Sequence, residues 1–159
     1  MSMSITLDSL PLEMSASAPI LPERRQSWSC SSNVRAKRAR VLVVDDEIAI
    51  GVLLEKILRA AFACEVDIAE HGLQALNLIE CHAYDLIVSD IRMPIVDGAE
   101  LFRRLAFSKP EMARRFVFVT GYAGDQAREE EVSTWGAPII TKPFKLSELT
   151  KVCAAFLAE

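Results

Sequence analysis

The strongest constraint on the fold is an alternation between short apolar runs and longer segments whose apolar residues recur at helical spacing. The predicted strand segments after residue 39 are Val41–Val44, Val66–Ile68, Leu86–Val88, Phe116–Val119 and Ile139–Ile140, and all except Val66–Ile68, which contains Asp67, are wholly apolar. Short, wholly apolar runs are typical of strands that are covered on both faces of a parallel sheet. Each run is followed by an amphipathic segment, so the sequence predicts five βα units in one α/β domain.

The order of the strands follows from the second run. Val66 and Ile68 alternate with Glu65 and Asp67, which predicts an edge strand with one wetter face. Right-handed crossovers place helices on both faces of such a sheet. We therefore expect a doubly wound, five-stranded parallel sheet in the order 2-1-3-4-5.

Local signals predict two helix boundaries and one weakly anchored helix. Asp97 and Glu100 have the spacing of a capping box and should start the third helix, which should end before Pro110. The fourth helix, from Asp125 to Trp135, has the fewest apolar residues and should be the most weakly anchored. Gly136 should end it in a left-handed conformation.

Composition divides the chain into an arm and a domain. Residues 1–38 lack sustained periodicity and end in a basic cluster, which predicts a mobile arm before a domain at 39–159. The first 40 residues carry six basic and three acidic side chains, and the remainder carries twelve basic and nineteen acidic ones. The acidic domain has no charge pattern for nucleic acid binding.

Apolar stretches and cysteines limit the compartment. No apolar stretch reaches the length of a membrane span, and the amino terminus lacks a secretory signal, so we expect a cytoplasmic protein with no membrane association. Cys30, Cys64, Cys81 and Cys153 are scattered without a C-x-x-C pair. This spacing favours buried free thiols over a zinc site or a disulfide framework.

Five polar residues follow four of the predicted strands: Asp45, Asp46, Asp90, Thr120 and Lys142. The carboxyl ends of parallel strands meet at one edge of the sheet, so these side chains should converge on one crevice. Three neighbouring carboxylates repel one another unless a cation neutralises them. Oxygen ligands without His or Cys favour Mg²⁺, and a hydroxyl and an ammonium beside them suit phosphoryl transfer.

The motifs that contain these residues resemble the receiver domain of two-component response regulators. They are Val-Val-Asp-Asp-Glu at 43–47, Asp-Leu-Ile-Val-Ser-Asp-Ile-Arg-Met-Pro at 85–94, Thr-Gly-Tyr-Ala at 120–123 and Thr-Lys-Pro-Phe at 141–144. The resemblance covers about residues 39–158 and implies a flavodoxin-like (βα)5 fold. It also implies a phosphoacceptor signalling module that modifies only itself and is not an enzyme acting on separate substrates.

The resemblance implies roles for the acidic residues. Asp90 would accept a phosphoryl group from a histidine kinase or a histidine phosphotransfer protein. Asp46 and Asp90 would bind Mg²⁺ together with the backbone carbonyl of Arg92, and Asp45 would help through water.

The resemblance also implies roles on the last two strands. Thr120 would move inward to bond a phosphoryl oxygen, and Lys142 would pair with the phosphoryl group. A cis peptide bond is expected between Lys142 and Pro143, since cis geometry costs little before proline.

Two departures from the family pattern stand out. Ile139 occupies a position where the family usually has Tyr or Phe, so the coupling of phosphorylation to the fourth and fifth strands and helices could be weaker here. Arg92 and Tyr122 are bulky residues at positions that flank the path of the hydrolytic water in this family. Their size favours slow dephosphorylation.

The leading hypothesis is a single-domain response regulator or phosphorelay component, since no output domain follows Glu159. Its phosphorylated form would bind a partner protein through the fourth helix, fifth strand and fifth helix, as a monomer or weak dimer.

An alternative is a receiver that regulates a hybrid kinase. A Mg²⁺-dependent aspartyl phosphatase is a second alternative, but the D-x-D-x-T motif is absent and Arg92 follows Asp90 by two residues. A binding-only pseudo-receiver is disfavoured by the intact set of five residues.

Overall fold

The strands form one parallel sheet. The computed structural model describes residues 38–121 and 126–157, with the side chains of 126–129 outside the description. The strands are β1 (Arg40–Val44), β2 (Glu65–Ala69), β3 (Leu86–Asp90), β4 (Phe116–Gly121) and β5 (Ile139–Lys142). Their order, β2-β1-β3-β4-β5, confirms the predicted doubly wound α/β fold. The predicted arm lies outside the described residues apart from Arg38.

Six helices connect and follow the strands within the described ranges. They are α1 (Ile48–Phe62), α2 (Gly72–Cys81), α3 (Gly98–Ser108), α4 (Pro110–Ala113), α5 (Gln126–Ser133) and α6 (Leu146–Leu157). The four-residue α4 was not predicted; Pro110 at its first turn suits a helix start, because proline lacks the N–H that a first turn leaves unbonded. The predicted fourth and fifth helices are therefore α5 and α6.

The predicted helix boundaries agree with the structure at three points. The Asp97 carboxylate accepts a hydrogen bond from the Glu100 backbone N–H at 2.8 Å, so Asp97 caps α3. This helix ends at Ser108, before Pro110, as predicted. Gly136 follows α5 with φ +74°, the left-handed conformation that was expected for it.

Strand β1 shows why the sheet needs helices on both faces. All four residues of Val41–Val44 are fully buried, and their side chains alternate between two apolar clusters. One cluster lies against α2, α3 and α5, and the other lies against α1 and α6. Burial of a Val or Leu side chain contributes about 1.5–3 kcal/mol, so each face of this strand stabilises the fold.

The cysteine prediction is correct for two thiols and wrong for one. Cys64 and Cys153 are buried free thiols, but Cys81 is an exposed one. The buried residues of α2 include Ala75 and Ile79, and Cys81 lies two residues beyond Ile79, on the opposite side of the helix. Cys30 lies outside the described residues.

A polar cluster at the amino edge of the sheet joins β1, β2 and β3. The Asp67 carboxylate accepts hydrogen bonds from Arg40 Nε and the Tyr84 hydroxyl, both at 2.8 Å. The Arg40 backbone N–H donates to Asp85, which also pairs with Arg115. Two guanidiniums therefore face two carboxylates. We call these five residues the amino-edge cluster.

No helix within the described ranges is long and apolar enough to cross a lipid bilayer.

Candidate functional site

The predicted acidic residues converge at the carboxyl edge of the sheet. Asp45 and Asp46 directly follow β1, and Asp90 is the last residue of β3. These strands are neighbours, with Val44 paired to Ser89. One carboxylate oxygen of each of the three aspartates lies within 4.8 Å of the others.

Lys142 joins two of these aspartates. It is the last residue of β5, which is separated from β3 by β4. Its ammonium donates hydrogen bonds to Asp45 Oδ2 and Asp90 Oδ2, each at 2.7 Å. The Lys142 side chain is only 19% exposed, so its charge is held between the two carboxylates.

Backbone amides orient the same two carboxylates. Asp45 Oδ1 accepts a hydrogen bond from the Glu47 N–H, and Asp90 Oδ1 accepts one from the Arg92 N–H, each at 2.9 Å. Each carboxylate thus has one oxygen on a backbone amide and the other on Lys142. Arg92 is an exposed residue, and its backbone N–H contacts Asp90.

Burial and charge shift the ionisation of the pair. Burial raises the pKa of Asp45 above its ordinary value, although the hydrogen bonds from Lys142 and the Glu47 amide act in the opposite direction. Burial alone would lower the pKa of Lys142, but its contacts with Asp45 and Asp90 outweigh that effect and leave the pKa raised. Lys142 therefore remains a cation, and burial of Asp45 opposes its ionised form while the Lys142 ammonium favours it.

The donor set fits a divalent metal ion. Three carboxylates and one ammonium leave about two negative charges uncompensated. Two carboxylates less than 4.8 Å apart repel each other by at least about 3 kcal/mol at an effective dielectric constant of about 20. The donors are all oxygen atoms, which suits Mg²⁺ better than a transition metal.

Thr120 lies beside this cluster on β4. Asp90 pairs with Val119 on that strand, so Thr120 is one residue further towards the carboxyl edge. Its side chain is 2% exposed, and its hydroxyl donates a long hydrogen bond of 3.4 Å to the Gly121 carbonyl. Thr120 is therefore a buried polar group at the edge that carries the acidic residues.

The chain matches a protein family over most of its described length. The model of the response regulator receiver domain family matches residues 41–154. The chain belongs to this family. Receiver domains are signalling modules of two-component systems, in which they interact with histidine kinases or phosphotransfer proteins and bind Mg²⁺ at an acidic pocket.

Three relatives show the range of proteins that contain a similar receiver. The chain is 37% identical to the transcriptional regulatory protein SpaR of Bacillus subtilis over 70% of its own length and 49% of SpaR. It is 34% identical to the sensor kinase CckA of Brucella abortus over 70% of its length and 12% of CckA. It is 29% identical to the receiver protein CpdR of the same organism, over 69% and 89% of the two chains. The chain thus spans about half the length of SpaR.

A solved receiver structure has the same fold. The response regulator TrrA of Thermotoga maritima, in complex with Mg²⁺ and a beryllium fluoride, superposes with a TM-score of 0.66 at 32% identity. The match covers 75% of this chain and 99% of TrrA.

The departures from the family pattern have local structural settings. Ile139 is half-buried, pairs with Phe118 in the sheet and packs against the cluster under α3 and α5. The peptide bond between Lys142 and Pro143 is cis, as expected. Tyr122 lies outside the described residues, so the predicted effect of Arg92 and Tyr122 on dephosphorylation stays a prediction.

Two residues of the site were missed in the sequence. Ser89 is fully buried, and its hydroxyl donates to the Asp90 carbonyl at 2.8 Å. Gly98, the first residue of α3, packs against that same carbonyl. A single serine in an otherwise apolar strand, next to the candidate phosphoacceptor, was the signal that could have found the contact.

Proposed function

We propose that this receiver accepts a phosphoryl group on Asp90 from a histidine kinase or a histidine phosphotransfer protein, in a reaction that depends on Mg²⁺. The observation that carries the proposal is the bridge that Lys142 makes to Asp45 and Asp90 beside a third carboxylate. In the transfer, an Asp90 carboxylate oxygen forms a bond to phosphorus as the bond between phosphorus and the donor imidazole nitrogen breaks. The electron pair of the broken bond returns to the imidazole.

The acidic residues would hold the metal ion. Asp46 and Asp90 would be its side-chain ligands with the backbone carbonyl of Arg92, and Asp45 would contribute through water. Bound Mg²⁺ supplies positive charge that stabilises the phosphoryl oxygens. Three carboxylates within 4.8 Å and the residual negative charge support this assignment.

Lys142 and Thr120 would stabilise the transferred group. The Lys142 ammonium already contacts Asp90, so phosphorylation of this carboxylate places phosphoryl oxygens within reach of the same cation. A charged hydrogen-bond donor at that point stabilises the negative charge of the transition state. The Thr120 hydroxyl would exchange its long hydrogen bond to Gly121 for one to a phosphoryl oxygen.

The phosphorylated receiver would then bind a partner protein. We assign this docking to α5, β5 and α6, with the receiver acting as a monomer or weak dimer in the cytoplasm. Five residues separate Thr120 from α5, and Lys142 is the last residue of β5. Two elements of the proposed docking surface are therefore adjacent in sequence to residues of the site. The match to the receiver protein CpdR covers 89% of CpdR, so a receiver makes up most of that relative. This match supports a role as a single-domain regulator.

Acetyl phosphate tests the phosphoacceptor directly. After incubation with acetyl phosphate and Mg²⁺, intact mass should show one added phosphoryl group in the wild type and none in Asp90→Ala. Asp85→Ala, at the residue that immediately precedes the same strand, is the matched control and should be modified like the wild type. Turnover of a soluble phosphomonoester would indicate the phosphatase, and a wild type that takes up no phosphoryl group would indicate a pseudo-receiver.

Regulation of a hybrid kinase is the second candidate, because the chain is 34% identical to part of the sensor kinase CckA. The direction of phosphoryl flow separates an output regulator from a receiver that passes the phosphoryl group on, as in a relay or a hybrid kinase. The phosphorylated receiver is mixed with purified histidine phosphotransfer proteins from the same organism. Transfer from Asp90 to a histidine would indicate a relay or hybrid kinase, and retention on Asp90 would indicate an output regulator.

A further inference from the structure

Ser89 is a buried polar residue in a strand that is otherwise apolar up to Asp90. It is fully buried, while its neighbours Leu86, Ile87 and Val88 fill the two cores. The Ser89 hydroxyl donates a hydrogen bond of 2.8 Å to the backbone carbonyl of Asp90. A buried hydroxyl that turns back onto the carbonyl of the next residue fixes the main chain at the point where the strand ends.

Gly98 brings the start of α3 against the same carbonyl. A Cβ atom on Gly98 would lie 2.0 Å from the Asp90 carbonyl oxygen and 2.9 Å from Ser89 Oγ, so only glycine fits here. The Gly98 N–H donates to the Ile91 carbonyl at 2.9 Å. Ser89, Asp90 and Gly98 therefore form one packed junction between β3 and α3.

This junction closes the loop of residues 91–97. One end of the loop follows Asp90, and the other end is Asp97, which caps α3 through the Glu100 N–H. Within the loop, the Arg92 N–H donates to Asp90 Oδ1 at 2.9 Å. The position of the Arg92 main chain thus depends on a loop whose two ends meet at the Ser89 hydroxyl and Gly98.

We infer that Ser89 is a positioning residue for the phosphoacceptor site. Its hydroxyl holds the junction between β3 and α3, and the junction places the Arg92 main chain, whose amide orients Asp90 and whose carbonyl is the proposed ligand to Mg²⁺. The inference rests on the proposed function. A shift of even 1 Å in such a group lowers reaction rates strongly, so a buried hydroxyl that touches no reacting atom affects transfer.

The first test measures the loop in the protein without metal. In Ser89→Ala, amide hydrogen exchange of Arg92, followed by NMR, should speed up at least threefold, while that of Ile87 in the middle of β3 should stay unchanged. Ser108→Ala is the matched control, since Ser108 makes a similar hydroxyl-to-carbonyl bond of 2.7 Å to Arg104 on the exposed side of α3. It should leave the exchange of Arg92 unchanged.

The second test measures metal affinity and transfer in the same variants. Ser89→Ala should bind Mg²⁺ about three- to tenfold more weakly by calorimetry and should lower the maximal rate of phosphorylation by acetyl phosphate by a similar factor. Ser89→Cys keeps the volume with a weaker donor, so it should remain impaired. Full recovery in Ser89→Cys would assign the effect to a void and overturn the inference.

The outcomes separate this inference from the proposed function. A wild type that takes up no phosphoryl group contradicts the proposed function, whatever Ser89 does to the loop. A phosphorylated wild type whose Ser89→Ala variant keeps normal Arg92 exchange, Mg²⁺ affinity and rate overturns the inference alone. A lower unfolding midpoint with unchanged Mg²⁺ affinity would make Ser89 purely structural and would also overturn it.

Discussion

At the carboxyl edge of the sheet three carboxylates face one ammonium, whereas the amino-edge cluster pairs two carboxylates with two guanidiniums. Each group contains a carboxylate that is at least partly buried, Asp45 at the carboxyl edge and Asp67 in the amino-edge cluster. The pKa of Asp45 is raised by burial, but burial of Asp67 is outweighed by its hydrogen bonds to Arg40 and Tyr84, and its pKa is lowered. A cluster with equal numbers of opposite charges stabilises the fold, whereas a cluster with an excess of carboxylates has charge left to bind a cation.

The largest expected effect on stability is in the amino-edge cluster, where the charges are balanced. Asp67→Asn should lower the free energy of unfolding at pH 7 by about 2–3 kcal/mol, because Arg40 loses its half-buried counter-charge and the Tyr84 hydroxyl loses a charged acceptor. Urea unfolding measures the change. A loss below about 0.5 kcal/mol would place the cluster among ordinary surface ion pairs.

The corresponding substitution at the carboxyl edge should change the free energy of unfolding in the opposite direction. Asp45→Asn should raise the free energy of unfolding at pH 7 by on the order of 1 kcal/mol, since it removes a disfavoured buried charge and Asn Oδ1 can still accept the Glu47 N–H. Asp46→Asn, at an exposed member of the same group, is the control and should change stability by less. Destabilisation of Asp45→Asn as large as that of Asp67→Asn would break the comparison.

The pH dependence of the two variants should also run in opposite directions. The lowered pKa of Asp67 means that its stabilising effect is complete above the unfolded value of about 4 and is lost as the pH falls through the folded value. The pKa of Asp45 is raised, so the folded state holds the extra proton and wild-type stability falls as the pH rises through the folded value. Urea unfolding across this range should show the deficit of Asp67→Asn shrinking in acid, and the advantage of Asp45→Asn appearing only at higher pH. Parallel curves would contradict the assigned shifts.

Sequence alone was sufficient for the carboxyl edge because parallel strands bring their carboxyl ends together whatever the loops do. The convergence of Asp45, Asp46 and Asp90 follows from that rule. The amino-edge cluster could not be predicted in the same way. Arg40, Asp67 and Tyr84 are single polar residues near three strand starts, and their contact depends on the register that pairs Leu42 with Asp67.

Local contacts near the site were also beyond the sequence pattern. The Ser89 hydroxyl and Gly98 meet only because α3 approaches the end of β3 closely enough to exclude a Cβ atom. Burial of Cys81 was predicted from its residue type, but its place on α2 decides otherwise, since it lies on the side opposite Ile79. The cap at Asp97 was predictable, because its geometry involves only residues within one helical turn.

The smallest expected effects concern backbone strain at the two edges. Ile95, in the loop after β3, has φ +70° and is 72% exposed, and Ala63, after α1, has φ +49°. Left-handed conformations cost L residues about 1–2 kcal/mol, and a β-branched residue is the less suited of the two. Ile95→Asn should therefore stabilise the protein by about 0.5–1 kcal/mol, and Ala63→Asn by less, as measured by thermal unfolding. The reverse ranking would contradict the idea that strain is concentrated near the site.

The most direct test of the charge-balance account is the dependence of unfolding free energy on Mg²⁺ at constant ionic strength. Above its dissociation constant, each tenfold increase in Mg²⁺ should stabilise the wild type by about 1.4 kcal/mol. Asp67→Asn should keep this slope from its lower starting value, and Asp46→Asn should lose most of it. A wild type without a slope, or an Asp46→Asn variant with the full slope, would contradict the claim that the unbalanced carboxylates form a divalent cation site.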